Sequence, residues 1–256
     1  MSVHIPLTAA TTLIGSAIMC YAWVYLGIQI RDPQKPAQLS VRYMQKFFMH
    51  MMIFFVIMSV PYLWTNDVQR FSVSAAWAYV VGHIFMYMSL MYISRMTFSL
   101  IPKLSTYDKP LVFAWLSAIT IVTAVNAKTM IWGVQPTYNY RLHLTEFHAS
   151  PAVGIPLALM AMIAFVPAII LFAMSAIKMR GINRVKPILI TIGFILITTA
   201  GPLHDNARTA QLYAIADIFT TIGMIVTLLG IAFHIQNELT QARPNRANVH
   251  APSNTV

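Results

Sequence analysis

A chain of 256 residues in which 58% of side chains are hydrophobic and only 9% are charged lacks the polar surface of a water-soluble fold, where about 25% are charged. The formal net charge of +10 would suggest nucleic acid in a soluble domain, but the basic residues here lie between apolar runs. They are therefore read as topology signals, and nucleic acid is set aside as a partner. Cys20 is the sole cysteine, so an internal disulfide is excluded.

Charge-free runs recur along the whole chain, each long enough for the roughly 20 helical residues that cross a hydrocarbon core of about 30 Å. Periodicity and breakers place seven spans at 7–30, 47–64, 73–94, 111–132, 153–177, 187–204 and 211–235. Before the first stands "MSVHIP", without the basic region of a signal peptide, so the run is expected to be a retained helix. The second contains "MHMMIFFVIM" with His50 near one end. The third has His83 near its middle and ends before "PKLSTYDKP". Asn126 and Lys128 lie near the far end of the fourth, which leads into the long loop 133–152 and its stretch "RLHLTEFHASP". The fifth includes Pro156 and Pro167. The sixth closes on "GPLHDNAR", and the seventh carries Asp217 and His234. The polar, proline-containing segment 239–256 is expected to be a disordered tail on a single domain, 1–238. The fold class is all-α, a polytopic membrane bundle of seven transmembrane helices.

Loop charge sets an expected orientation. Arg70, Lys128, Arg141 and Arg208 lie toward one side, and the rest of the 17 Lys and Arg lie toward the other. The positive-inside rule then puts the N-terminus outside and the C-terminus in the cytoplasm. Trp64, Trp77, Trp132, Tyr138 and Tyr140 fall near the outer boundary, where aromatic rings favour the headgroup level. The setting this implies is a bacterial or archaeal cytoplasmic membrane, with lipid as the surrounding partner.

Ionisable groups inside spans are costly and usually face the bundle interior. Asp217 lies roughly 9 Å below the outer boundary and Lys128 roughly 6 Å, at a rise of about 1.5 Å per residue. Opposite charge at similar depth suggests a pair, with Asn126 nearby. The alternative is that Lys128 snorkels to the headgroups while Asp217 bonds Thr220 or Thr221. Above them, His143, Glu146, His148, His204 and Asp205 enrich the outer side in ligand-capable groups. Were 141–150 helical, His143 and Glu146 would share a face and His148 would point off it. An outer-side divalent metal would then need His204 or Asp205 as well, in the mixed nitrogen and oxygen set that suits zinc. A hydrated loop also carries such residues without any metal. "HLTEFH" misses the H-E-x-x-H and H-x-x-E-H peptidase spacings by one residue, and no G-x-S-x-G occurs, so no enzyme is read from the sequence.

Two further readings concern cofactors and soft ligands. His50 and His234 fall at similar depth near the inner face and would suit axial ligation of one b-type haem, although interfacial histidines also serve as plain anchors. The frequent methionines offer thioethers to copper, or flexible filling to the core.

In span count and orientation the chain resembles the seven-helix sensory regions of some bacterial signalling proteins. The resemblance implies a binding or sensory module whose ligand enters from outside, near Asp217, Lys128, Asn126, His204 and Asp205 under the 133–152 loop. No kinase or cyclase follows the seventh run, so signalling would need a separate cytoplasmic partner at the basic inner loops. A solute or ion transporter using the same intramembrane charges is the remaining alternative.

Overall fold

A computed structural model describes residues 7–31, 39–64, 66–133, 135–139, 144–147, 151–205, 207 and 209–247. Seven helices form the body: α1 (Leu7–Ile30), α2 (Leu39–Ser59), α3 (Val68–Leu100), α4 (Asp108–Met130), α5 (Pro151–Lys178), α6 (Val185–Asp205) and α7 (Ala210–Ala247). Each contains a stretch long and apolar enough to cross a membrane. Between α4 and α5 lies a hairpin, β1 (Thr137–Asn139) and β2 (Leu144–Glu146).

Local chemistry accounts for where several helices begin and end. The ring nitrogen of Pro61 carries no hydrogen, and α2 gives way at Ser59 to a tighter 3-10 turn over Val60–Trp64. Asp67 then caps α3 from an extended backbone, its carboxylate accepting from the Arg70 amide at 3.0 Å. Pro151 opens α5, at a position where the missing donor costs nothing. Gly181, between α5 and α6, has φ of +60°, a left-handed conformation that glycine adopts without strain.

Consecutive helices pack on one another from α1 to α7, α7 closes back on α1, and α3 also packs on α5. The bundle is thus a ring with α3 turned inward. Helix α3 supplies Phe71, Tyr79, Tyr87 and Ile93 to the interior, all essentially without solvent exposure. Tyr87 and Ile93 share a cluster with Phe47 and Phe48 of α2 and Phe194 of α6, and Tyr79 belongs to a second with Met58 and Phe147. Between α6 and α7 the backbones meet through glycine: a methyl group on Gly193 would overlap the Thr227 hydroxyl and lie 2.8 Å from the Gly223 carbonyl oxygen. Small residues that let backbones approach are the usual device for joining helices in lipid.

Three helices outrun their apolar cores. At about 1.5 Å per residue, the 33 residues of α3 exceed a hydrocarbon core of about 30 Å. Its helix therefore includes Arg95, which the span 73–94 had left in a loop. Helix α2 starts at Leu39 rather than 47, because Tyr43 and Met44 bury against neighbours before the apolar run begins. Helical backbone continues to Ala247 in α7, past the boundary at which the sequence placed the tail, and 248–256 lie outside the described residues.

Candidate ligand-binding site

Between α4 and α5, residues 135–139 and 144–147 form a lid. Its two strands pair antiparallel, with Thr137 opposite Glu146, Tyr138 opposite Thr145 and Asn139 opposite Leu144. Side chains alternate along a strand. Thr145 and Phe147 accordingly point into the bundle, at 1% and 3% exposure. Glu146 between them is only partly buried and accepts from Asn139 Nδ2 at 2.9 Å. The Thr145 hydroxyl meets the Tyr62 hydroxyl at 2.8 Å. The Phe147 ring lies 5.3 Å from Tyr79 and 5.5 Å from His204, centroid to centroid, and Tyr138 packs on Phe71 at 5.2 Å.

Beneath this lid, side chains from α1, α2, α3, α5, α6 and α7 line a partly open cavity of about 130 Å³. Its polar end carries Thr8 and Thr12 of α1, His204 of α6, and Asp217 and Thr220 of α7. Met51, Phe54, Met86, Leu90, Leu157 and Phe165 form its apolar body, and His83 lies along one side.

Asp217 is the chemical centre of this arrangement. The residue is 4% exposed. Its Oδ1 stands 3.7 Å from His204 Nε2, longer than a hydrogen bond, and its Oδ2 is buried without a hydrogen-bond partner. The Thr8 hydroxyl is within hydrogen-bond reach of both the Asp217 carboxylate and the Tyr62 hydroxyl, so only Oδ2 of Asp217 is left unbonded. Thr221 donates to the main-chain oxygen of Asp217 at 2.9 Å, and Thr220 to that of Ala216 at 2.9 Å, so neither hydroxyl gives its proton to the carboxylate. His204 is held between rings, with Phe147 on one side and Tyr213 in an edge-to-face contact at 5.2 Å.

His83 is orientated more tightly. Its Nδ1 lies 2.7 Å from the Tyr79 carbonyl oxygen, which only accepts, so Nδ1 carries the proton. The ring stacks on Tyr79 at 3.8 Å and meets Phe54 at 5.5 Å. In the neutral ring the lone pair is therefore on Nε2.

Of the residues singled out from sequence, Asp217 and His204 come together at the cavity. Asn126 and Lys128 do not. Asn126 is fully buried but donates to the Tyr87 hydroxyl at 2.9 Å, away from the cavity lining. Lys128 is exposed on α4, which packs on α3 and α5, whereas α7 packs on α6 and α1. Matching depth brought Lys128 and Asp217 together on paper, and ring order separates them. Asp205 ends α6, with its side chain outside the described residues, as are His143 and His148 entirely. The shared helical face considered for His143 and Glu146 does not arise, since 144–146 is strand. Among the described residues, no group of three or more His, Cys, Asp or Glu is placed to hold a metal ion.

His50 donates from Nδ1 to the Lys46 carbonyl oxygen at 2.7 Å and packs on Tyr92 at 5.0 Å. His234 lies on α7, its side chain outside the described residues. Helix α2 packs on α1 and α3, while α7 packs on α6 and α1.

A second polar cluster, missed in the sequence, closes the opposite end. Arg95 donates from Nε and Nη2 to the two oxygens of Asp108 at 2.7 and 2.6 Å. The same Nη2 reaches the Tyr43 hydroxyl at 2.9 Å, with the guanidinium 4.4 Å from the Tyr43 ring. The clue was Asp108 at the start of a helix only thirteen residues after Arg95, a spacing one interhelical turn brings together. Comparison with protein-family models, curated proteins and solved structures finds no match to this chain. Function is therefore argued from the site.

Proposed function

We propose that the chain is a membrane-embedded binding module of the sensory kind, holding a small ligand in the cavity beneath the hairpin. In this reading the hairpin faces the outside of a bacterial or archaeal cytoplasmic membrane, and a separate cytoplasmic protein docks on the basic end. The observation that carries it is Asp217, a buried carboxylate at the wall of the cavity with one oxygen lacking any hydrogen bond. An acid at the centre of a span costs roughly 2.5–3.5 kcal/mol on insertion scales, and the one candidate cation facing Asp217 among the described residues, His204, stays 3.7 Å away. Groups held at that cost usually serve a function.

The cavity also suits transmission of a signal. An occupant touches six helices at once, including α7, which runs from Asp217 to the basic end. A ligand shifts a conformational equilibrium only through contacts that differ between its states, and a site shared by six helices supplies such contacts. Substituting Ala161→Phe tests the reading. Ala161 is buried at the cavity wall, and its replacement fills much of the space. Native mass spectrometry of protein purified from its membrane should show a small bound molecule in wild type and none in the variant. Retention of the same molecule by Ala161→Phe would place the site elsewhere.

A further inference from the structure

The hydrogen-bond inventory of the cavity narrows what it takes, an inference that rests on the cavity being a binding site. The Thr12 hydroxyl donates to the Ala9 carbonyl oxygen at 2.9 Å and the Thr220 hydroxyl to that of Ala216 at 2.9 Å. A threonine hydroxyl has one hydrogen, so both offer the cavity only lone pairs. The Nδ1 hydrogen of His83 is committed to the Tyr79 carbonyl oxygen, which leaves an acceptor at Nε2 of the neutral ring. Asp217 adds a carboxylate whose nearest cationic candidate, His204, stays 3.7 Å away. Thr12, Thr220, His83 and Asp217 thus face the cavity with acceptors, one of them a carboxylate, while the Thr8 hydroxyl is taken up by Asp217 and Tyr62 and Thr11 adds one further hydroxyl.

An ammonium group is the complementary partner, having three donors and no acceptor. A carboxylate or phosphate ligand would bring more lone pairs and a like charge. The aromatic rings of Phe54, Tyr79, Phe147 and Phe165 around the cavity also favour a cation, because ring faces carry negative potential. Size sets the rest. An engineered protein cavity of about 150 Å³ accepts benzene, so the 130 Å³ here suits an apolar body of about six heavy atoms. We propose that the cavity binds a compact primary amine as its ammonium ion, with the nitrogen at Asp217 and an aryl or short alkyl body among Met51, Met86, Leu90 and Phe165.

Four probes of one shape test this on the full chain in lipid nanodiscs: benzylamine, benzyl alcohol, toluene and benzoate, followed by calorimetric titration and thermal unfolding. Ala161→Phe supplies the background from partition into lipid. Benzylamine should bind about ten- to a hundredfold more tightly than benzyl alcohol, the worth of one hydrogen bond to a charged group, and benzoate should not bind. Asp217→Asn should remove that preference and leave toluene binding unchanged. Equal binding of benzylamine and benzyl alcohol, or an amine preference that survives Asp217→Asn, would overturn the amine assignment while leaving the cavity a binding site. Failure of every probe on wild type would overturn the binding-site reading with it. Should Asp217→Asn not fold, the wild-type probe order decides alone, with Thr220→Val expected to weaken benzylamine more than toluene.

Discussion

Single side chains hold the two ends of this bundle in different ways. At the basic end, Arg95 meets Asp108 through two parallel hydrogen bonds of 2.7 and 2.6 Å while lying over Tyr43. A planar fork matches a carboxylate in a way that the single ammonium of lysine does not. Arg95→Lys is therefore expected to behave much like Arg95→Ala, each lowering stability by about 1–3 kcal/mol in thermal or chemical unfolding. In a double-mutant cycle with Asp108→Asn, most of the Arg95→Ala cost should vanish once Asp108 is already changed. Additive effects would mean that the geometry contributes no coupling. At the hairpin end the acid is left under-satisfied, with Asp217 facing His204 across 3.7 Å. One acid is clamped by its partners, and the other is left with an unbonded oxygen at the cavity wall.

At the scale of elements, the join between α6 and α7 has the least room to give. A methyl group on Gly193 would meet the Thr227 hydroxyl and, at 2.8 Å, both the Gly223 carbonyl oxygen and the Thr227 amide nitrogen. Backbone is not a flexible neighbour, so Gly193→Ala should force the helices apart and cost about 1–3 kcal/mol. Gly201, on the same helix, has nothing within 4 Å of an added methyl. There, Gly201→Ala should be neutral or stabilising by up to about 1 kcal/mol, through helix propensity alone. Melting temperatures of the two variants check the contrast, and equal losses would show that α6 and α7 do not pack through this face. The seven helices were legible in the sequence because each apolar run is long and nearly free of charge. Lengths were less so: α3 continues past its apolar core to include Arg95, a partner for Asp108 that hydropathy does not see. The hairpin was hidden because "HLTEFH" draws attention to its polar letters, whereas Thr145 and Phe147, at alternate positions, make the lid. Asp217 and His204 were found as intramembrane and boundary ionisable groups. His83 was noticed only for its place near the middle of a span, and Thr8, Thr12 and Thr220 were not singled out as lining, since a hydroxyl facing a cavity has no sequence mark of its own.

Across the whole molecule, the charge asymmetry of the loops carries the proposed direction of the bundle. The turns joining α3 to α4 and α5 to α6 carry Lys103, Arg180 and Arg184, all exposed. At the hairpin end, the exposed turn before α3 pairs Arg70 with Asp67 at 3.2 Å, so much of its positive charge is cancelled locally. Short basic loops are retained in the cytoplasm, so the proposed orientation has the hairpin, the cavity and Asp217 toward the outside. Single cysteines at Thr106 in the α3–α4 turn and at Thr209 before α7, in a Cys20→Ser background, report this directly. A membrane-impermeant maleimide added to intact cells should label Thr209→Cys and spare Thr106→Cys until the membrane is opened. The reverse pattern would place the cavity on the cytoplasmic side, where its occupant would be an internal metabolite and the hairpin a lid against the cytosol. The cavity chemistry at Asp217 would stand, but a sensory module facing outward would not.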